Sequence, residues 1–134
     1  MVIGAVMAVS FSSSAQTNQT LKTDNKEKPA VKKTFYGQAS FYSNKFNGRK
    51  TANGEIFSQS KFTCACNVLP MGTWLKVTNL RNGKSAIVKI NDRLHPKMKR
   101  IVDLTSAAAK KLGFTAAGLT RVKVEVYGKK KPEE

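Results

Sequence analysis

A β-hairpin signal near the middle of the chain is the feature that most limits how this sequence can fold. Residues 73–80 (TWLKVTNL) and 85–91 (SAIVKIN) are both rich in strand-forming residues, and the turn Arg81-Asn82-Gly83-Lys84 separates them. An Asn-Gly pair between two such runs favours a tight hairpin turn, whose central residues need positive φ values. The sequence therefore predicts two adjacent antiparallel strands.

A further strand is indicated by alternation near the end of the chain. Over residues 121–127 three valines (Val122, Val124 and Val126) alternate with Arg121, Lys123 and Glu125. Period-two alternation is typical of a strand that covers a core with one face and meets water with the other. Residues 34–42 are also rich in strand-forming residues, so the pattern predicts a mainly β fold.

One helix is predicted over residues 106–112. Thr105 or Ser106 can cap its start, three consecutive alanines favour helix, and Gly113 can end it. Many short strands with one or two short helices are typical of a small closed barrel.

The two ends of the chain differ from this central region. Residues 1–15 are uncharged, contain an apolar run and end in small residues, which resembles a secretory signal and its cleavage site. No Lys or Arg precedes the run, so either the true start lies upstream, which we expect, or the segment is only an apolar tail. Residues 16–33 are polar and predict a flexible linker, and residues 129–134 predict a disordered tail. The fold is expected within residues 34–128, in an exported protein of the periplasm or cell envelope with no lipid-anchor motif.

The chain is strongly basic, with 24 Lys and Arg against 8 Asp and Glu and a formal net charge of +16. Such a chain is attracted to polyanions, namely nucleic acid, anionic lipid head groups or acidic wall polymers. Export argues against nucleic acid, and the sequence has neither a phosphate-binding loop nor an RNA-binding aromatic pattern. A wall polymer is therefore the expected partner, and peripheral association with the cell envelope is compatible with the charge.

The expected barrel region contains four carboxylates: Glu55, Asp92, Asp103 and Glu125. Glu125 lies on the polar face of the last strand and is expected to be solvated. The other three follow turn-like or strand-end sequence, where functional groups cluster. Each also has a structural interpretation: a surface charge for Glu55, a partner of Arg93 for Asp92, and an acceptor at the helix start for Asp103.

The two cysteines, Cys64 and Cys66, allow three interpretations. A disulfide suits an exported protein, but neighbours at i and i+2 in a strand lie roughly 7 Å apart, at the limit of disulfide geometry. A zinc site lacks ligands, because His95 is the one histidine of the chain. Two small, partly buried residues are the third interpretation. The sequence thus predicts no metal and no cofactor.

Six segments, in this order and spacing, resemble the rare lipoprotein A family of septal-ring lytic transglycosylase-like proteins. The resemblance covers roughly residues 36–127. The segments are Gly37-Gln38-Ala39-Ser40-Phe41-Tyr42, Phe46-Asn47-Gly48-Arg49-Lys50-Thr51-Ala52-Asn53-Gly54-Glu55, Leu69-Pro70-Met71-Gly72-Thr73, Val77-Thr78-Asn79-Leu80, Asn91-Asp92-Arg93 and Val102-Asp103-Leu104-Thr105.

The resemblance implies a small six-stranded double-psi β-barrel that binds peptidoglycan outside the cytoplasm. Some members are lytic transglycosylases, which break the bond between N-acetylmuramic acid and N-acetylglucosamine and leave a 1,6-anhydro end. Because the sugar's own 6-hydroxyl is the nucleophile, one carboxylic acid in a cleft can serve as acid and base. The fixed two-carboxylate spacing of ordinary glycosidases is not required.

The resemblance also implies which residues act. Asp92 matches the Asp of the family's Asn-Asp-Arg motif and is the expected acid/base. Glu55 is expected to assist it or to hold the sugar, and Asp103 ranks third among the catalytic candidates. The residues expected to bind substrate are Asn91, Arg93, Cys66 and Asn53.

Two departures from the family pattern bear on catalysis. Many members carry a His three residues before the Leu-Pro, where this chain has Cys66, and a thiol does not replace an imidazole near neutral pH. The usual Asn-Asp-Arg-Gly-Pro is here Asn91-Asp92-Arg93-Leu94-His95-Pro96, so His95 could supply an imidazole from another loop. The alternative function is therefore a non-catalytic, expansin-like module that binds peptidoglycan.

Overall fold

Six strands and one helix make up the fold in the computed structural model, which describes residues 30–133. The strands are β1 (Lys33–Phe41), β2 (Thr63–Ala65), β3 (Trp74–Asn79), β4 (Ser85–Asp92), β5 (Val102–Leu104) and β6 (Thr120–Gly128). Helix α1 (Ser106–Leu112) joins β5 to β6, and a single 3-10 turn (Asn44–Phe46) follows β1. The signal-like residues 1–15 and most of the predicted linker lie outside the described residues.

The strands close into a barrel in the order β1-β5-β2-β4-β3-β6. The pairs β1·β5 and β2·β4 are parallel, and the other four are antiparallel. The predicted hairpin is β3–β4, with Trp74 opposite Lys89 and Thr78 opposite Ser85. The expected mainly β, six-stranded barrel with a short helix is confirmed. Closure leaves no unpaired edge among these strands.

The inward-facing side chains of the strands form the core. The valines of β6 alternate as predicted, with Val122 and Val124 fully buried and the intervening Lys123 partly exposed. Leu75 and Ile90, from the two strands of the hairpin, are fully buried beside them. Removal of this apolar surface from water is the main force that holds the barrel closed.

The caps of helix α1 are those that the sequence predicts. Thr105 is the N-cap residue, and its hydroxyl accepts a hydrogen bond from the Ala108 backbone N–H at 3.4 Å. Gly113 ends the helix with a φ of 78°, which favours glycine over any other residue. Within residues 30–133 no helix combines the length and apolar character needed to cross a bilayer.

The residues that follow β6 contact the barrel. The Lys129 ammonium donates to the Met71 carbonyl, the Lys131 Nζ lies 5.4 Å from the centre of the Trp74 ring, and Pro132 is buried. The sequence predicts a disordered tail over residues 129–134, and that stays a prediction. In the described structure these lysine side chains lie against the barrel, at an aromatic ring and a backbone carbonyl.

The side chain of Asn79 joins three elements at one end of the barrel. It is 1% exposed at the end of β3, and its Nδ2 donates to the Leu112 carbonyl at the end of α1 at 2.9 Å. Its Oδ1 accepts from the Thr120 hydroxyl at 2.8 Å and from the Arg81 backbone N–H at 3.0 Å. Its removal leaves buried polar groups without partners, which is costly.

We expect Asn79→Ala to lower the free energy of unfolding by about 3 kcal/mol, because three hydrogen bonds are lost and two of them are buried. Asn82→Ala is the matched control. Its Nδ2 donates to the same Leu112 carbonyl at 3.0 Å from an exposed position, so we expect a loss below about 1 kcal/mol. Urea unfolding of both variants measures the difference, and equal losses would contradict this account.

Candidate active site

Four adjacent strands bring two aspartates into one row on the outside of the barrel. Ser40 of β1 pairs with Asp103 of β5, Asp103 pairs with Ala65 of β2, and Ala65 pairs with Asp92 of β4. Residues paired across neighbouring strands point to the same face. Strands lie about 4.8 Å apart, so the Cα atoms of Asp92 and Asp103 are separated by roughly 10 Å, with the Ala65 methyl between them.

The row opens into a cleft of about 480 Å³. Both aspartates line it, and Ala65 lies between them in the register. The basic residues of its lining are Arg49, Lys50, Arg93, His95 and Arg100. Its aromatic and aliphatic residues are Phe41, Tyr42, Phe46, Phe57, Leu94 and Met98. Two carboxylates are thus surrounded by cations and by apolar surface.

Hydrogen bonds from three directions fix the Asp92 carboxylate. Its Oδ1 accepts from the Ala52 backbone N–H at 2.8 Å and from the Arg93 backbone N–H at 2.9 Å. Its Oδ2 accepts from the Tyr42 hydroxyl at 2.5 Å. Asp92 lies at the end of β4, and the donors come from the 51–54 turn, its own turn and the end of β1. The side chain therefore has one orientation, towards the cleft.

Tyr42 is held over Asp92 by aromatic contacts. Its ring lies 4.3 Å from that of Phe57 and meets that of Phe46 edge-on at 5.7 Å, measured between ring centres. Burial, the hydrogen bond to Asp92 and the negative charge of Asp92 all raise the pKa of Tyr42 far above its usual value. Tyr42 therefore stays protonated and acts as a donor to Asp92.

The second cleft aspartate, Asp103, is an ion-pair partner. Arg100 contacts both of its oxygens, with Nε 2.8 Å from Oδ1 and Nη2 3.1 Å from Oδ2. The Ser40 hydroxyl donates to Oδ1 at 2.5 Å. Two-point arginine contacts of this kind are strong and directional, and the hydrogen bond to Asp103 raises the pKa of Arg100. The group is therefore held in place as a paired carboxylate.

Glu55 lies outside the cleft lining and reaches the site through Asn91. It is exposed, and its Oε1 accepts from the Asn91 Nδ2 at 3.0 Å. That hydrogen bond is the main cause of a lowered pKa for Glu55, which is therefore ionised near neutral pH. Asn91 is 3% exposed, and its Oδ1 has no hydrogen-bond partner within the described chain. Its own position thus depends on Glu55.

Asn53 and Arg93 organise the loops around the cleft. The Asn53 Oδ1 accepts from the Thr51 hydroxyl at 2.6 Å and from the Glu55 backbone N–H at 3.1 Å, so it closes the 51–54 turn. The Arg93 guanidinium donates to the backbone carbonyls of Cys66 and Leu69 while it lines the cleft. Of the two, Arg93 is the one with a side chain at the cleft.

Cys66 does not line the cleft. Cys64 and Cys66 are free thiols, both 0% exposed, and both belong to the core. Burial raises the pKa of each thiol, so both stay neutral. Cys66 contributes its carbonyl, which holds Arg93, and His95 is the imidazole that lines the cleft. Among residues 30–133 no group of three or more potential ligands is arranged to hold a metal ion.

Sequence reasoning missed four residues of this site: Ser40, Tyr42, Ala65 and Arg100. Ser40 and Tyr42 fall in a motif that carries the family resemblance, but nothing local shows that they contact aspartates 63 and 50 positions away. Arg100 precedes Asp103 by three positions, and this spacing could have indicated an ion pair between them. The position of Ala65 between the two aspartates follows only from the strand register.

The family model described as lytic transglycolase matches residues 34–124. The chain is 42% identical over 106 residues to the endolytic peptidoglycan transglycosylase RlpA of Haemophilus influenzae, covering 79% of this chain and 36% of that protein. It is 51% identical over 89 residues to the protein of the same name from Pseudomonas aeruginosa, covering 66% and 26%. The chain thus spans about a quarter to a third of the length of these relatives.

Solved structures share the fold at low identity. A Clavibacter michiganensis expansin superposes with a TM-score of 0.59 at 21% identity, covering 76% of this chain and 53% of that one. The Streptomyces papain inhibitor superposes with a TM-score of 0.59 at 19% identity, covering 73% and 97%. By the match of its sequence to the family model and to these relatives, the chain belongs to the lytic transglycolase family of double-psi β-barrels, among the relatives of rare lipoprotein A.

Proposed function

We propose that this barrel is the catalytic domain of an endolytic peptidoglycan lytic transglycosylase. The observation that carries the proposal is the row Asp103–Ala65–Asp92, which faces two of the four carboxylates of residues 34–128 into one cleft. The names of the relatives support the same activity. The substrate is the bond between N-acetylmuramic acid and N-acetylglucosamine in a glycan strand.

Asp92 is the proposed acid and base. Its proton passes to the glycosidic oxygen as the bond from that oxygen to the muramic-acid anomeric carbon breaks. The 6-hydroxyl oxygen of the same sugar then bonds to that carbon, and its proton returns to the Asp92 carboxylate. No water enters, and Asp92 ends as it began. Such a proton transfer typically contributes about 10²–10⁴-fold to the rate.

Tyr42 and the paired carboxylate of Asp103 support this chemistry. Tyr42 donates to the Asp92 Oδ2 and so helps to fix the carboxyl group that lines the cleft. Asp103 offers a fixed negative charge across the Ala65 gap, where positive charge develops at the anomeric carbon. Because Arg100 contacts both oxygens of Asp103, that carboxylate serves as an electrostatic group rather than as the proton donor.

The cationic rim of the cleft suits an acidic glycan. Arg49, Lys50 and Arg93 line it together with the two aspartates. Lactyl and stem-peptide carboxylates of peptidoglycan are the complementary anions, and the attraction weakens with salt. A peptidoglycan substrate supports a location in the periplasm or cell envelope.

We expect Asp92→Asn to lower the rate of anhydro-product release from sacculi by at least about 100-fold, because the amide cannot donate the proton. Mass spectrometry of the released muropeptides measures this. The amide keeps the size of the side chain, so pelleting with sacculi should persist. Wild-type protein that binds sacculi and releases no anhydro products would instead establish the non-catalytic binding module.

We expect Tyr42→Phe to lower kcat by about tenfold with little change in KM, because the ring contacts remain and only the hydrogen bond to Asp92 is lost. An unchanged kcat in Tyr42→Phe would contradict a part for this hydrogen bond in the chemistry. Tyr42→Ala also removes the ring contacts, and urea unfolding of both variants separates a loss of stability from a loss of turnover.

Glu55 is proposed to position Asn91 rather than to transfer a proton. We expect Glu55→Gln to keep near wild-type kcat, because the amide oxygen can still accept from the Asn91 Nδ2. Glu55→Ala removes the acceptor, and we expect about a tenfold loss. Turnover of isolated glycan strands by the two variants provides the test. Equal, large losses in both would make Glu55 a proton-transfer group.

A further inference from the structure

A second groove lies on the outside of the barrel, on strands that also build the cleft. Thr63 of β2 pairs with Lys89 of β4, and Lys89 pairs with Trp74 of β3. The flanking strand residues Cys64, Val88 and Leu75 are fully buried. The row Thr63–Lys89–Trp74 therefore faces outward, and the aromatic ring and the ammonium group lie side by side.

Residues from other parts of the chain complete this groove, which has a volume of about 360 Å³. Lys61 and Phe62 precede β2, Lys111 comes from the last turn of α1, and Lys131 follows β6. Four lysines and two aromatic rings thus meet from five segments of the chain. No carboxylate is among the residues that line the groove, and none of those residues lines the cleft.

Lysine ammonium groups lie over both rings. Lys89 and Lys131 approach the Trp74 ring to 5.7 and 5.4 Å from its centre, and Lys111 lies 5.7 Å from the centre of the Phe62 ring. Such cation–π contacts are attractive and hold the ammonium groups beside the rings. The Glu55 carboxylate, outside the lining, interacts with two of these lysines: its pKa is lowered by the hydrogen bond from Asn91 and further by the charges of Lys89 and Lys61. An anionic ligand in the groove adds further attraction to the ammonium groups.

We infer that this groove binds a carboxylated polysaccharide strand, at a site separate from the cleft and beyond the proposed function. Pyranose rings present an apolar C–H face that packs on aromatic surface. The parts of the Trp74 and Phe62 rings that remain exposed beside the ammonium groups supply such surface. Ring carboxylates at the edge of such a strand pair with the surrounding ammonium groups. A ligand with carboxylates but no sugar rings would need the lysines and would make no use of the two aromatic rings.

A polysaccharide fits these observations better than a lipid surface does. A membrane-binding patch presents basic and apolar side chains that protrude from one surface. Here Trp74 and Lys89 are half-buried within the sheet surface, between flanking residues that form a groove. A linear polymer can enter this groove, whereas a bilayer surface would contact only its rim.

The chain contains one tryptophan, Trp74, so its fluorescence reports on this groove alone. We expect oligogalacturonate, a carboxylated probe, to change Trp74 emission in the full chain with saturation at low ionic strength. Cellohexaose, which lacks carboxylates, and polyglutamate, which lacks sugar rings, should bind at least about tenfold more weakly. The double variant Lys61→Gln/Lys89→Gln should raise the Kd for oligogalacturonate by about tenfold, equivalent to about 1.4 kcal/mol.

The double variant Arg81→Gln/Lys84→Gln is the matched control, since it removes the same charge from the exposed hairpin turn, and we expect less than a twofold change. Asp92→Asn, in the cleft, should also leave this Kd unchanged, which separates the inference from the proposed activity.

Equal weakening by both double variants would overturn the site, because binding would then depend only on the overall positive charge of the protein. Equal affinity for polyglutamate would overturn it as well. A Trp74 response to phosphatidylglycerol vesicles but not to oligogalacturonate would assign the groove to a membrane.

Discussion

The parallel pairing of β2 with β4 is the constraint on which the candidate site depends. It sets Ala65 beside Asp92, and the antiparallel pairing of the same short strand with β5 sets Ala65 beside Asp103. The register between β2 and β4 shifts between Cys64 and Ala65, which changes the direction of the side chains along β2 at this point. Three residues of β2 thus determine where two carboxylates, from segments that are not adjacent in sequence, face the same cleft.

The buried cysteines follow from the same arrangement. A strand that lies between two others has little room, and small thiols at positions 64 and 66 fill the core without charge. With its side chain inside, Cys66 contributes to the site through its carbonyl, which holds the guanidinium of Arg93. The mechanism proposed for Asp92 uses no side chain at position 66. Whether cleavage persists with Cys66 in place of the family's histidine is decided by the release of anhydro products from sacculi.

Local patterns predicted those elements whose signals are local. The β3–β4 hairpin, the alternation of β6 and the caps of α1 each arise from residues close in sequence. β2 and β5, with three residues each, are too short to show a period, so their strand character comes from closure of the barrel. Strand-end positions made Asp92 and Asp103 candidates, and the family resemblance ranked them. Their common row, and the donation from Tyr42 to Asp92, depend on register, which composition and spacing do not encode.

Charge is distributed unevenly over the barrel, and this links the cleft to the groove. In the cleft each aspartate has specific donors, and the surrounding cations have two carboxylates among them. In the groove four lysines surround two rings with no lining carboxylate. Part of the net charge of +16 is therefore concentrated in the groove, where packing of the core does not require it. Because β2 and β4 contribute to both sites, a rigid barrel fixes the direction from one to the other, so an extended polymer held in the groove would approach the cleft in a restricted orientation.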